Sequence, residues 1–275
     1  MACWPGCQYR SVAAHSPWRH LALAFLAVSE ASGGLALPTV GRETLRLPDI
    51  PVIIEREAAL VTQRKILSPH DIAAMERTPR AMLINSLPGY KPGMLVGTCD
   101  GAGHTNLAIV SSHFHLGSDP PLLAMILRPS TGQSERHTLV NILGSQSWTL
   151  NSFTLEEAAM AHQTSASYGR NESEFTACAF GIQWVDGVDA PFVETAALQI
   201  GCELREHHPL SINGTNLLIG EITHLSFPSD TQRDNGSLDL SRLGVVTISG
   251  LDTYSSPSPG ARFATAKPHL APRQL

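Results

Sequence analysis

The feature that most constrains the fold is a series of short apolar runs, rich in Val, Ile and Leu and separated by Gly, Pro and Asp turns. Runs of this length and composition are typical of β-strands. They occupy residues 81–85, 94–99, 105–111, 122–128, 147–153, 192–195, 198–205, 216–227 and 243–249. Many antiparallel strands with few helices favour a barrel, because closure of the sheet leaves no strand edge unpaired.

Helix signals interrupt these strands. The residues Ser68-Pro69-His70-Asp71 predict a helix start, with Ser as N-cap, Pro at the first helical position and an acid in the first turn, and we expect that helix to end before Pro79. Two further helices are predicted over residues 137–143 and 154–162. Between two strands, Asp100-Gly101 predicts a tight hairpin, since Asp-Gly supplies the positive φ that such turns need.

The ends of the chain differ from this middle part. Residues 1–48 mix Gly, Ser, Pro and Ala without a sustained period, which predicts a poorly ordered extension, followed by a folded domain over 49–254 and a disordered or arm-like tail over 255–275. The apolar run 21–28 follows Arg10 and Arg19, so the extension also has the outline of a signal peptide, alongside the alternatives of a disordered leader or an over-long start. No run reaches the ~18 to 20 apolar residues of a membrane-spanning helix, and we expect no membrane partner.

Charge and cysteine content narrow the function classes. The chain has 19 basic and 24 acidic residues, a formal net charge of −5, and no Lys or Arg run that could follow a phosphate backbone, so nucleic acid is not an expected partner. Its five cysteines contain no CxxC spacing and are odd in number, which fits a reducing, cytoplasmic location better than a disulfide framework.

The segment 105–121 carries the strongest functional signal. It is a strand that ends in Ser111 and Ser112, followed by a loop of mostly small or polar residues and an Asp119-Pro120-Pro121 turn. Small side chains let the backbone approach a flat ring closely, and exposed amides can bind its polar edge. The segment therefore fits a site for a planar cofactor.

This segment resembles the strand, loop and turn of the FMN-binding split-barrel flavin reductases. The similarity continues through Arg136-His137-Thr138, Asn141-Ile142, Trp148-Thr149-Leu150-Asn151, Ser173-Glu174-Phe175, Ala190-Pro191-Phe192-Val193-Glu194 and Ser249-Gly250-Leu251-Asp252-Thr253-Tyr254. It implies a mainly β fold, a six-stranded antiparallel split barrel with peripheral α-helices. It also implies a homodimer with FMN near the subunit boundary, and transfer of hydride from NADH or NADPH to the flavin and on to free flavin or another acceptor.

The same resemblance places the cofactor-binding residues. The implied phosphate ligands are Arg128, Arg136, His137 and Thr138, with Arg128 and Thr138 as the first candidates. The remaining implied cofactor contacts are Asn106, Ser111, Ser112 and Asn141. A dianionic phosphate also favours a helix N-terminus and charged donors on general grounds.

Other residues leave alternatives open. His113 and His115 replace the Thr and Ser that are more usual in the family, and at strand spacing they share one face, which would suit a metal-dependent β-barrel enzyme. His162, at a predicted helix end, either complements the helix dipole or acts on the nicotinamide side. An FMN-binding protein with little turnover is a further alternative. The implied flavin chemistry needs no protein nucleophile, and consistently the sequence contains no GxSxG, HExxH or P-loop motif. The absence of GxGxxG argues against a separate Rossmann domain, so we expect any nicotinamide to dock directly over the flavin.

Overall fold

The computed structural model describes residues 42–47, 50–55, 64–130 and 136–275. The chain divides into two compact units, Met1–Arg64 and Lys65–Leu275. In the first, strands β1 (Arg42–Leu47) and β2 (Ile50–Glu55) form an antiparallel hairpin. The predicted extension, residues 1–48, lies outside the described residues except where its end overlaps β1, so the boundary near residue 49 stays a prediction.

The second unit contains the remaining elements. Its helices are α1 (Pro69–Ala74), α2 (Arg77–Ser86), α3 (His137–Ser145), α4 (Ala158–Gln163) and α5 (Glu174–Ala177). Its strands are β3 (Lys91–Pro92), β4 (Met94–Cys99), β5 (Thr105–Val110), β6 (His113–Ser118), β7 (Pro121–Leu127), β8 (Ser147–Asn151), β9 (Ile182–Gln183), β10 (Phe192–Val193), β11 (Gln199–Pro209), β12 (Asn216–Ser226), β13 (Thr247–Ser249) and β14 (Thr253–Ser255). Among the described residues, no helix is long and apolar enough to span a bilayer.

The main sheet is a barrel. Seven antiparallel strands lie in the order β5-β4-β8-β11-β12-β7-β6. The outermost strands β5 and β6 are joined by only two residues, Ser111 and Ser112. The sheet therefore has to curl until its two edges meet at this corner. The predicted split barrel is confirmed, with seven strands in the sheet instead of six. The segment after Ser112, which was predicted as a loop, forms strand β6 and pairs with β7.

Two apolar clusters form on the two faces of the sheet. The inner cluster includes Met94, Val110, Met125, Trp148 and Leu218, all buried. The outer cluster packs α4, α5 and β13 against β4 and β5, and includes Leu95, Leu107, Phe153, Ala161, Phe175 and Ile248. This division follows the period-two alternation of the strands, since Met94 and Leu95 are neighbours in sequence and face opposite sides.

The start of α1 forms as predicted, whereas the prediction for the next segment is wrong. The Ser68 Oγ accepts from the Asp71 amide at 3.2 Å and the Asp71 Oδ2 accepts from the Ser68 amide at 2.8 Å, a complete capping box. Residues 81–85 are not a strand but part of α2, which includes Pro79. Proline at the third helical position removes no hydrogen bond, because the first N–H groups of a helix have no intrahelical partner.

The predicted hairpin joins β4 to β5, with one difference in its turn. The positive φ lies at Gly103 (88°), not in the Asp100-Gly101 pair. The Asp100 carboxylate accepts from the amides of Ala102 and His104, both at 2.9 Å, and so closes the turn from its side chain.

Candidate functional site

A buried polar network lies where α3 packs against β4 and β5. Asn106 Nδ2 donates to Thr98 Oγ1 at 3.2 Å and to Thr138 Oγ1 at 3.1 Å, and Asn141 Nδ2 donates to Thr98 Oγ1 at 3.2 Å. All four side chains are buried. The structure thus brings together Asn106, Thr138 and Asn141, and adds Thr98, which directly faces Asn106 across the hairpin.

One atom of this network has no partner. The Asn141 Oδ1 is buried without a hydrogen bond. A cleft reaches the network from outside and is lined by Asp100, His104, Thr105, Asn106, His137, Asn141, Arg170 and Glu172. A buried carbonyl oxygen without a donor is costly, and this cleft has room for one small donor group, about the size of a water molecule, beside Asn141.

The outer rim of the cleft is held by a carboxylate. The pKa of Asp100 is lowered to about 2, chiefly by the hydrogen bond from the His104 amide. Hydrogen bonds from the His104 side chain and the Ala102 amide, and the charge of His104, lower it further. The same carboxylate lies 3.1 Å from His104 Nδ1 and 3.2 Å from an Arg170 guanidinium nitrogen. These contacts hold His104 and Arg170 in place at the rim, and the Asp100 carboxylate offsets part of the positive charge there.

The barrel corner presents two hydroxyls. Ser111 is half-buried and Ser112 is exposed. The Ile126 amide donates to the Ser112 carbonyl at 2.8 Å, which anchors the corner to β7. Within the described part of the chain, neither serine side chain has a hydrogen-bond partner, so both hydroxyls are available to the polar edge of a flat ligand.

A pair of cations lies near the end of β7. Arg128 is exposed, directly after that strand. Burial, and then the positive charge of Arg128, lower the pKa of Lys91, whose Nζ donates to the Gly250 carbonyl at 3.0 Å. Neither cation has a carboxylate partner among the described residues. The unbalanced positive charge suits an anionic group.

The N-terminus of α3 is close to this region along the chain. The Arg136 amide donates to Ser130 Oγ at 3.1 Å. Arg136 is half-buried, and its Nε is buried without a partner. His137 is half-buried, with no side-chain hydrogen bond in the described part of the chain. Arg128 thus follows β7 and Arg136 immediately precedes the N-terminus of α3, and a helix N-terminus with nearby cations favours anions.

The histidines of β6 have different surroundings. His113 faces Met125 across the strand pair, and its Nδ1 is buried without a partner. Burial lowers the pKa of His113 to about 4. His115 on the same strand is exposed. Among the described residues, no group of three or more His, Cys, Asp or Glu side chains is placed to hold a metal ion.

His162 lies in the last turn of α4, as the sequence predicts. Its ring is exposed, and its Nδ1 lies 2.8 Å from the hydroxyl of Tyr254 in β14. The sequence analysis named neither Tyr254, Thr98 nor Lys91 as functional. The hairpin register could have identified Thr98, but a lone lysine and a tyrosine more than 90 residues from its partner carry no local signal.

Comparison with known proteins adds to this geometry. Residues 89–242 match the family model described as the flavin reductase like domain. A split-barrel domain protein of the flavin reductase type from Shewanella frigidimarina NCIMB 400 is 41% identical over 74% of this chain and 100% of its own, with a TM-score of 0.70. Nitrilotriacetate monooxygenase component B from Bacillus cereus is 17% identical over 72% of this chain and 98% of its own, with a TM-score of 0.64, which is a likeness of fold. A protein of Deinococcus radiodurans is 27% identical over 67% of this chain and 84% of its own length.

Proposed function

The chain belongs to the flavin reductase-like domain family, and on this premise we propose that it is an FMN-dependent oxidoreductase. It takes hydride from NADH or NADPH and passes electrons to free flavin or to another acceptor. The observation that carries the proposal is the set of unpartnered polar groups on the barrel: the Ser111 and Ser112 hydroxyls, the Arg128 guanidinium and the Asn141 Oδ1.

The basic region is the proposed phosphate site. Arg128 and Lys91 have no carboxylate partner among the described residues, and Arg136 stands at the N-terminus of α3. A dianion would offset the positive charge of Arg128, which adds to burial in lowering the pKa of Lys91, and would accept charge-assisted hydrogen bonds from Arg128. Thr138, the other first candidate from the sequence, already bonds to Asn106 through its side chain. We therefore assign it the role of fixing the helix terminus, with its backbone amide facing the anion.

The polar groups of the barrel corner and the cleft match the hydrogen-bonding groups of the ring and the ribityl chain of FMN. The hydroxyls and amides of Ser111 and Ser112 suit the polar edge of the flavin ring, while Asn141 Oδ1 can accept from a hydroxyl of the ribityl chain. When bound, FMN supplies the hydride acceptor and donor of the reaction. The protein residues bind and orient the two planar reactants, an effect that accounts for much of the rate in reactions of this kind.

Assembly and location are part of the proposal. Phe114 and Leu116, on the outermost strand β6, are 47% and 46% exposed, although strand edges and apolar groups are usually covered. We propose that a second copy of the chain covers this surface in a homodimer, with FMN near the boundary, and that the protein works in the cytoplasm.

The direct test has two steps. Purified full-length protein loaded with FMN should keep a flavin absorption spectrum after gel filtration. Rapid mixing with NADH or NADPH under nitrogen should then bleach the flavin with saturation kinetics. Retained flavin without bleaching by either nucleotide would contradict the reductase function and favour a flavin-binding protein with little turnover. Elemental analysis of the same sample tests the metal-dependent alternative based on His113 and His115.

A further inference from the structure

An oriented histidine stands beside the barrel corner. The exposed imidazole of His162 uses its Nδ1 in the 2.8 Å contact with the Tyr254 hydroxyl. Its Nε2 has no partner among the described residues. The two rings meet edge to face, with centroids 5.7 Å apart and planes at 90°. One contact fixes the position of the imidazole and the other fixes its plane, so Nε2 points in a defined direction.

The position of Tyr254 is itself fixed by packing and by strand pairing. Its ring meets Phe153 edge to face at 6.3 Å, and it packs on the outer apolar cluster. Strand β14 pairs with β13, and β13 pairs with β3. Burial, and then the charge of Asp252, raise the pKa of the Tyr254 hydroxyl, which can donate to the Nδ1 of His162. When Tyr254 donates, the Nε2 of His162 is the ring nitrogen that carries the N–H.

The pair lies close to the barrel corner. Thr164, the residue after α4, accepts through its Oγ1 from the Ile109 amide at 2.9 Å, so α4 is attached to β5 two residues before Ser111. Leu107, Ile109 and Tyr254 all pack with the outer cluster. The His162–Tyr254 pair thus lies on the outer face of β5, near the corner serines that follow this strand.

We propose that His162 binds the carboxamide of the nicotinamide co-substrate through Nε2, and that Tyr254 is the positioning residue that aims it. This inference rests on the proposed reductase function. A carboxamide oxygen is an acceptor of suitable size for one directed N–H donor, and a ring that lies on the flavin needs such an anchor at its edge because stacking alone does not fix its rotation. No proton or electron passes through the pair.

The test uses full-length, FMN-loaded protein and stopped-flow reduction by NADH and NADPH. Loss of one hydrogen bond in His162→Ala should raise the half-saturating nucleotide concentration about ten-fold, with a much smaller change in the limiting rate and none in FMN affinity. Tyr254→Phe, which keeps the ring, should shift the same parameter in the same direction by a smaller factor. His162→Gln keeps a side-chain donor and should recover part of the loss.

The controls distinguish a role of His162 and Tyr254 in nucleotide binding from a purely structural role in which their contact only stabilises the fold. His70→Ala removes an exposed histidine of α1 and should leave both parameters unchanged. An unchanged half-saturating concentration in folded His162→Ala and Tyr254→Phe, with only the melting temperature lowered, would overturn the inference and leave the reductase function standing. Failure of the wild-type protein to be reduced by either nucleotide would overturn both.

Discussion

Asn106 donates to Thr138 over 3.1 Å and so joins a barrel strand to the helix that packs across it. Both side chains are buried. Asn106→Ala should therefore lower the free energy of unfolding by about 1 to 3 kcal/mol, because the hydroxyls of Thr98 and Thr138 lose a donor they cannot replace with water. Urea unfolding followed by circular dichroism measures the change. Asn171→Ala, at an exposed position, is the matched control and should stay within about 0.5 kcal/mol of wild type.

The network shows what the sequence could and could not predict. Most of the strands, the barrel and the N-cap of α1 follow from local patterns, whereas β6 was interpreted as a loop. Of the four residues of the network, all but Thr98 were predicted as cofactor contacts. Their mutual hydrogen bonds depend on the β4–β5 register and on the packing of α3, which are long-range features. For the same reason Lys91 was missed, since it is far from Arg128 in sequence and its charge interaction with Arg128 arises only in the folded chain. The error at α2 is local, because a proline in the first turn was interpreted as a helix end.

Arg128 gives a prediction about ligand choice. If it binds the phosphate of FMN, Arg128→Ala removes a charge-assisted hydrogen bond worth about 1.5 to 3 kcal/mol. FMN affinity should then fall about ten-fold or more, whereas riboflavin, which lacks the phosphate, should bind as it does to wild type. Fluorescence titration of the apoprotein with both ligands measures this. Arg77→Ala, which removes an exposed arginine of α2, should change neither affinity, and equal losses for both ligands in Arg128→Ala would contradict the assignment.

His113 gives a prediction about pH. Burial lowers its pKa from the ordinary 6.5 to about 4, so the folded protein binds this proton less tightly than the unfolded chain. The corresponding stability is fully present above pH 6.5 and is lost as the pH falls towards 4. At 1.36 kcal/mol per pKa unit the contribution is at most about 3 kcal/mol.

The variant His113→Gln should flatten this part of the profile. We expect the drop in unfolding free energy between pH 7 and pH 4 to be smaller in His113→Gln than in wild type. His115→Gln, on the same strand but exposed, should retain the wild-type drop. Identical pH profiles for His113→Gln and wild type would show that His113 does not stay neutral in the folded protein.

The barrel interior contains a close approach between Trp148 of β8 and Gly220 of β12. A Cβ at position 220 would overlap the Trp148 Cη2 and lie 2.5 Å from its Cζ2. Trp148 is 1% exposed, and its indole N–H is buried without a partner. Gly220→Ala should therefore destabilise the protein by about 1 to 3 kcal/mol, as overpacking of a dense core does.

A double-mutant cycle tests whether overlap with the Trp148 indole causes the destabilisation expected for Gly220→Ala. Trp148→Phe removes the overlapping six-membered ring position and the unsatisfied N–H together, at the cost of some buried surface. When it is combined with Gly220→Ala, the added methyl group occupies part of the space that the indole leaves. The double variant should thus be more stable than the sum of the single changes predicts, by about 1 kcal/mol or more. Gly144→Ala is the matched control, because a Cβ there meets no atom within 4 Å and Ala favours the helix; it should leave stability unchanged or raise it. Additive losses in the cycle would mean that Gly220 is required for a reason other than contact with Trp148.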